Sequence, residues 1–187
     1  EPYLETLIND IKKYMSTPYE IKIQTEHGLS NAVMKGIEKA NGNIIVVMDG
    51  DGSHNPVYLN GMISLLNKYS IVLGSRYVRG AASDYSIKRK IISLIFRDIA
   101  ILMFRPKVKD VLSGYVVAKK EVYDNLKINP RGYKFGLELI FKAKGKYKVT
   151  EYPVHFYERK LGKSKANINQ GIETLGFMIK LFKERYM

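Results

Sequence analysis

The sequence predicts an α/β fold built as one domain, and three features carry that expectation. Segments with helical spacing of apolar residues alternate with short β-rich runs along the chain. The run Ile44 to Val47, "IIVV", is continuously aliphatic, the pattern of a central parallel strand covered on both faces. With 187 residues, 45% of them hydrophobic, the chain can bury one sizeable core and is short for two.

Residues 2–15 place Leu4, Leu7, Ile8, Ile11 and Met15 at helical spacing, and Pro2 suits a first turn, so an amphipathic helix opens the chain. A second helix is expected in "GLSNAVMKGIEKANG", with Ser30 or Asn31 near its start and Asn41-Gly42 closing it. The aliphatic strand follows, then a short helix after Pro56, a strand in "SIVLGSRY" and a long helix from about Ser86 to Phe104. "SGYVVAKK" reads as strand, and "KEVYDNL", "KFGLELIFKAKGK", "KVTEYPVHFYE" and a C-terminal helix complete the alternation. No internal repeat or low-complexity tract interrupts it.

Composition narrows the function classes. The formal charge of +13, from 31 Lys and Arg against 18 Asp and Glu, favours polyanionic partners: nucleic acid, an acidic membrane surface or a phosphorylated small molecule. Without cysteine there are no disulfides and no thiolate metal sites, which suits a cytosolic setting. Apolar runs such as Ile99 to Phe104 fall far short of the roughly 18 residues that span a bilayer. The chain opens at Glu1 without Met or a signal-like segment, so a fragment, or the ordered part of a longer protein, is expected.

The stretch "IIVVMDGDGSHNP" concentrates the chemistry. Residues i and i+2 of a strand face the same way, so Asp49 and Asp51 are expected side by side at the carboxyl end of a central strand, where open α/β sheets bind ligands. Two adjacent carboxylates repel, and a divalent cation with oxygen ligands, Mg²⁺ or Mn²⁺, relieves that repulsion. The alternative is a plain turn, with Asp and Gly in turn positions. The motif alone leaves both open.

The longer run "GLSNAVMKGIEKANGNIIVVMDGDGSHNP" resembles the polyprenyl-phosphate sugar transferases among the family 2 glycosyltransferases, and most closely the archaeal dolichyl-phosphate mannosyltransferases. The resemblance continues through "GSRYVRG", "KRKIIS", "SGYVVAKKEVY", "NPRGYKFGLELI" and "YERKLGKSK", covering nearly everything from Gly28 onward. It implies a glycosyltransferase A fold, Rossmann-like, with a mainly parallel sheet and helices on both faces. It also implies transfer of a sugar, mannose from GDP-mannose first and glucose from UDP-glucose second, to dolichyl or polyprenyl phosphate, with inversion. By the same resemblance Asp49 and Asp51 hold the divalent ion, Ser53 sits beside it, and Arg76 serves donor phosphate. Arg89, Ser113, Arg159 and Lys165 fall to the acceptor side, Arg89 among the catalytic set, and Asp110 is a base or orienting group.

Elementary chemistry supports such roles. Charge grows on the leaving diphosphate while an oxocarbenium-like centre forms, so a cation and guanidinium groups aimed at that diphosphate lower the barrier. A phosphate acceptor is already anionic at neutral pH and needs positioning more than deprotonation.

The segments 86–104 and 171–186 are amphipathic and basic. In the first, Ile87, Ile91, Ile95, Ile99 and Met103 recur every four residues among Lys88, Arg89, Lys90 and Arg97. Packing on the core and lying in a membrane interface are both open readings. The resemblance places the protein at the cytoplasmic face of a membrane, peripheral or anchored by a segment outside this chain. His54 is expected to shape the turn rather than ligate metal, and His27 and His155 show no ligand spacing. The 14 tyrosines are scattered rather than interleaved with a basic platform, so nucleic acid is not an expected partner.

One departure stands out. Relatives of this kind begin with an apolar strand and carry a second nucleotide-holding strand after the first helix. Here "YEIKIQTEHGLS" passes almost directly into the next helix, so residues 1–187 read as a single catalytic domain lacking the first strand and a segment near 21–24. A family 2 transferase with another acceptor and a non-catalytic polyanion-binding domain are the alternative functions.

Overall fold

The computed structural model describes residues 2–24, 28–126, 128, 135–158 and 168–186. The opening amphipathic helix is α1 (Pro2–Tyr14), and α2 (Leu29–Glu38) follows. Gly28, with φ of 91°, stands at the start of α2, so the helix begins on a left-handed glycine rather than on a Ser or Asn cap. Next come β1 (Ile44–Val47), α3 (Leu59–Ser64), β2 (Ile71–Ser75) and the two-residue β3 (Ala82–Ser83). Helix α4 (Ile87–Phe104) starts on Ser86, whose hydroxyl accepts the Arg89 amide at 3.4 Å. Strand β4 (Val116–Lys119) runs into α5 (Lys120–Leu126), followed by α6 (Phe135–Ala143), β5 (Val149–Pro153), β6 (His155–Phe156) and α7 (Ile168–Tyr186). The segment "KVTEYPVHFYE" holds two short strands, separated at Val154.

The main sheet has the order β1-β4-β2-β5, with β3 and β6 pairing separately in parallel. Strand β4 lies antiparallel to both β1 and β2, while β2 and β5 are parallel. Three of the four strands therefore share a direction, and their carboxyl ends open on one edge together with the amino end of β4. Both faces are covered. Ile71, Leu73, Val116 and Ala118 join a core with residues of α4, α5, α6 and α7; Val72, Tyr115 and Val117 pack on the other side against Leu59, Met62, Val154 and Phe156. This two-sided burial explains the continuous aliphatics of β2 and β4.

Strand β1 departs from the expectation of a central position: among the described residues it is an edge. Ile44 is 42% exposed, and segment 17–24, outside any helix or strand, lies across from β1 without joining a ladder. A groove of about 460 Å³ separates them, lined by Ile44 to Met48 on one side and by Tyr19, Glu20 and Lys22 on the other. What holds the segment is Glu20, whose carboxylate accepts the backbone and side-chain N–H groups of Asn41 at 2.6 and 3.2 Å.

Candidate active site

The carboxylates sit beyond the end of β1. Its ladder stops at Val47, so Asp49 and Asp51 are displayed by a loop rather than by strand alternation. Asp51 closes a turn on itself: one carboxylate oxygen accepts the Ser53 amide at 3.0 Å and the Ser53 hydroxyl at 2.6 Å. Gly52 turns at φ of 88°, with the Tyr3 ring of α1 lying over it. The turn and a cation-binding role are thus compatible, because the turn is what presents the acids.

The rest of the loop is bolted to the sheet. The Asp49 amide donates to His54 Nδ1 at 2.9 Å, and the His54 ring stacks on Tyr115 with centroids 4.8 Å apart and 8° between planes. Tyr115 also donates its hydroxyl to the Asn55 carbonyl at 2.9 Å, and the Tyr157 amide, just after β6, donates to the Ser53 carbonyl at 3.1 Å. Burial, with the neighbouring Tyr58 adding to it, pushes the Tyr115 phenol pKa well up, so it stays a donor.

Across the same edge, Arg76 leaves the end of β2 and meets Asp110. Asp110 Oδ2 accepts the Arg76 backbone N–H and Nε–H at 2.9 and 2.8 Å, and Oδ1 accepts Nη2–H at 2.6 Å. Burial opposes the guanidinium charge, but the adjoining Asp110 carboxylate outweighs it and raises the pKa. Asp110 is fully buried and is itself set by Glu151 of β5, whose two oxygens accept the amides of Lys109 and Asp110 at 2.7 and 2.8 Å. Of the two roles expected for Asp110, this geometry favours orienting over proton abstraction. Ser113, expected on the acceptor side, is buried; its hydroxyl donates to the Gly74 carbonyl at 2.6 Å and accepts the Tyr115 amide at 3.2 Å, tying β2 to β4. Arg89, in the first turn of α4, lies 3.6 Å over the Tyr85 ring, and Arg76 approaches the same ring at 5.7 Å. Arg159 and Lys165 lie outside the described residues.

The donors suit a hard divalent ion. Mg²⁺ and Mn²⁺ accept one or two carboxylates and fill the remaining positions with water and substrate phosphate oxygens. Among the described residues no group of three His, Cys, Asp or Glu is arranged to hold a metal. Ser53 donates its hydroxyl hydrogen to Asp51 and so orients that carboxylate.

The profile described as Glycosyl transferase family 2 matches residues 2–127. The chain belongs to that family. It is 36% identical over 178 residues to a dolichol-phosphate mannosyltransferase of Pyrococcus furiosus, an alignment covering 90% of the chain and 50% of the relative. A dolichol-phosphate mannosyltransferase of Mycosarcoma maydis is 30% identical over 191 residues, covering 96% of the chain and 63% of the relative. The chain thus spans about half the length of the first and under two thirds of the second. In fold it is similar to glucosyl-3-phosphoglycerate synthase of Mycobacterium tuberculosis, solved with Mn²⁺, uridine-diphosphate-glucose and phosphoglyceric acid: TM-score 0.62 at 16% identity, covering 87% of this chain and 56% of that one. The glycosyltransferase A fold is therefore the architecture present.

Within this family 2 chain, sequence reasoning missed Tyr85, Glu151 and Tyr3. Tyr85 sits directly before the Ser86 cap, a place where an aromatic gives no chemical signal of its own. Glu151 reads as an ordinary strand residue, and only the crossing of β5 beneath residues 109–110 reveals its use.

Proposed function

We propose that this chain is the catalytic domain of a polyprenyl-phosphate mannosyltransferase, moving mannose from GDP-mannose to dolichyl or polyprenyl phosphate with inversion. The observation that carries the reading is the shared sheet edge: the acids Asp49 and Asp51 follow β1 and Arg76 follows β2 at the same end of the sheet, with Arg89 linked to Arg76 through Tyr85. The named relatives supply the acceptor class. Asp49 and Asp51 would hold Mg²⁺ or Mn²⁺, with Ser53 alongside. When bound, that ion neutralises charge developing on the leaving diphosphate.

The protein's own groups do the remaining work. Arg76, kept charged and aimed by Asp110, offers fixed positive charge to donor phosphate, and Arg89 with Arg159 and Lys165 forms the proposed acceptor set. A phosphate acceptor needs no base, so positioning, rather than a proton relay, is the main contribution. Inversion follows from one in-line displacement. Outer apolar side chains of α4 and α7, Ile87, Ile91, Ile95, Leu102, Ile172 and Ile179, are exposed beside basic residues. That surface suits the interface of a membrane from its cytoplasmic side, where the lipid acceptor resides. Among the described residues no helix is long and apolar enough to cross a membrane.

UDP-glucose is the second donor reading, favoured by the ligand in the Mycobacterium tuberculosis structure. The test is transfer of radiolabelled sugar from each donor to a short polyprenyl phosphate with Mn²⁺ or Mg²⁺, by full-length protein, with Asp51→Ala as control. Metal-dependent product absent from the control is expected. No transfer from either donor by folded protein would refute the proposal.

A further inference from the structure

We propose that His54 is a positioning residue for Asp49: as a neutral imidazole it fixes the Asp49 backbone through Nδ1 and so sets the carboxylate's approach to a divalent cation. The inference rests on the reading of Asp49 as a metal ligand, and adds a residue to that site.

Four observations converge on it. The ladder of β1 ends at Val47, leaving the Asp49 amide beyond reach of the sheet, and His54 Nδ1 is the acceptor that receives it at 2.9 Å. An imidazole nitrogen that accepts cannot carry the proton, so the ring's hydrogen belongs on Nε2. That nitrogen stands 3.9 Å from Asp49 Oδ2, beyond hydrogen-bond length, so Nδ1 holds the main chain of Asp49 while Nε2 lies near its carboxylate. The ring is 2% exposed, stacked on Tyr115 and met edge-on by Phe156 with centroids 4.8 Å away, so its orientation is set before any ligand arrives.

The same contacts argue against ligation by His54 itself. Its Nδ1 lone pair is engaged with an amide, and its ring is wedged between two aromatic residues of β6 and the approach to β4. Asp49, by contrast, keeps a third of its side chain exposed. The arrangement is that of a rigid buried ring supporting a more open acid. Groups that orient metal ligands in this way change metal affinity by about 10- to 100-fold when lost.

The test uses the whole chain without donor or acceptor. Mn²⁺ binding is measured by calorimetry and by the loss of free-ion electron paramagnetic resonance signal, for the wild type, His54→Phe and His54→Asn. Phe keeps an aromatic ring between Tyr115 and Phe156 and loses both nitrogens; Asn loses the ring but returns an acceptor near the Nδ1 position. Expected is about tenfold weaker Mn²⁺ binding for His54→Phe and substantial recovery in His54→Asn. Wild-type binding by folded His54→Phe would show that ring packing matters and the nitrogens do not, overturning the inference, as would weakening in His54→Asn equal to or greater than that in His54→Phe, since the returned acceptor would then restore nothing. If a variant fails to fold, the nitrogen resonances of His54 in the metal-free wild type decide instead. Unprotonated Nδ1 coupled across the hydrogen bond to the Asp49 amide supports the proposal, and protonated Nδ1 overturns it. Failure of the wild type to bind Mn²⁺ would remove the metal reading along with this one, whereas unchanged binding in His54→Phe removes this one alone.

Discussion

Replacing Asp110 with Asn separates an anchoring carboxylate from a catalytic base. Asp110 is fully buried and Arg76 nearly so, and three hydrogen bonds join them. Asn keeps the shape but removes the charge and turns one acceptor into a donor facing the guanidinium. Removing one partner of a buried pair leaves the other uncompensated, at a cost of roughly 3–5 kcal/mol. In a domain of this size each kcal/mol lowers Tm by about 2–4 °C, so a fall of about 6 °C or more is expected. The assay is thermal unfolding followed by circular dichroism, paired with sugar transfer at a temperature where the variant stays folded. Anchoring predicts that stability drops and the donor KM rises as Arg76 loses its aim. A variant as stable as the wild type but inactive would refute this reasoning and restore Asp110 as a base.

Gly136→Ala places a Cβ against the Ser113 carbonyl, a backbone atom that cannot step aside, so a loss of roughly 1–3 kcal/mol is expected in denaturant unfolding. The Glu20 carboxylate, hydrogen-bonded first by Lys22 and then by Asn41, has its pKa lowered from 4.5 to about 2. A depressed acid stabilises the fold above its unfolded pKa and loses that contribution as pH falls; the tether of segment 17–24 should therefore weaken between pH 4.5 and 2, read as faster hydrogen exchange at the Asn41 amide relative to β2. Glu20→Gln should remove that pH dependence. For the exposed face of α4, Ile91→Glu with Ile95→Glu should cut partition onto vesicles of phosphatidylglycerol and phosphatidylcholine by roughly tenfold or more without changing Tm. Unchanged partition would dismiss the membrane-facing role of this helix.

Much of the fold was legible because periodicity reports burial. The amphipathic spacing of α1 and the continuous aliphatics of β2 each follow from which side chains meet the core, whereas the four-residue recurrence of α4 marked a helix but not its buried side: Ile87, Ile91 and Ile95 are exposed, and Ala100 and Phe104 are buried. The place of β1 was not legible. Its composition is that of a strand with neighbours on both sides, yet its position in the sheet depends on which segments pair with it, and segment 17–24 stops a groove's width away.

The sequence by itself determined the chemistry on offer: two acids after an aliphatic strand, arginines that the family resemblance ties to phosphate, a strongly basic composition, and enough ordered motifs to place the chain among family 2 glycosyltransferases. Only the tertiary structure decided how those groups are employed. It turned Asp110 and Ser113 inward, joined Arg76 to Asp110 and Arg89 to Tyr85, and set His54 against Asp49. The reason is physical: a side chain's type fixes what it can donate or accept, whereas its partner is fixed by distance, and distances between residues far apart in sequence exist only once the sheet has assembled.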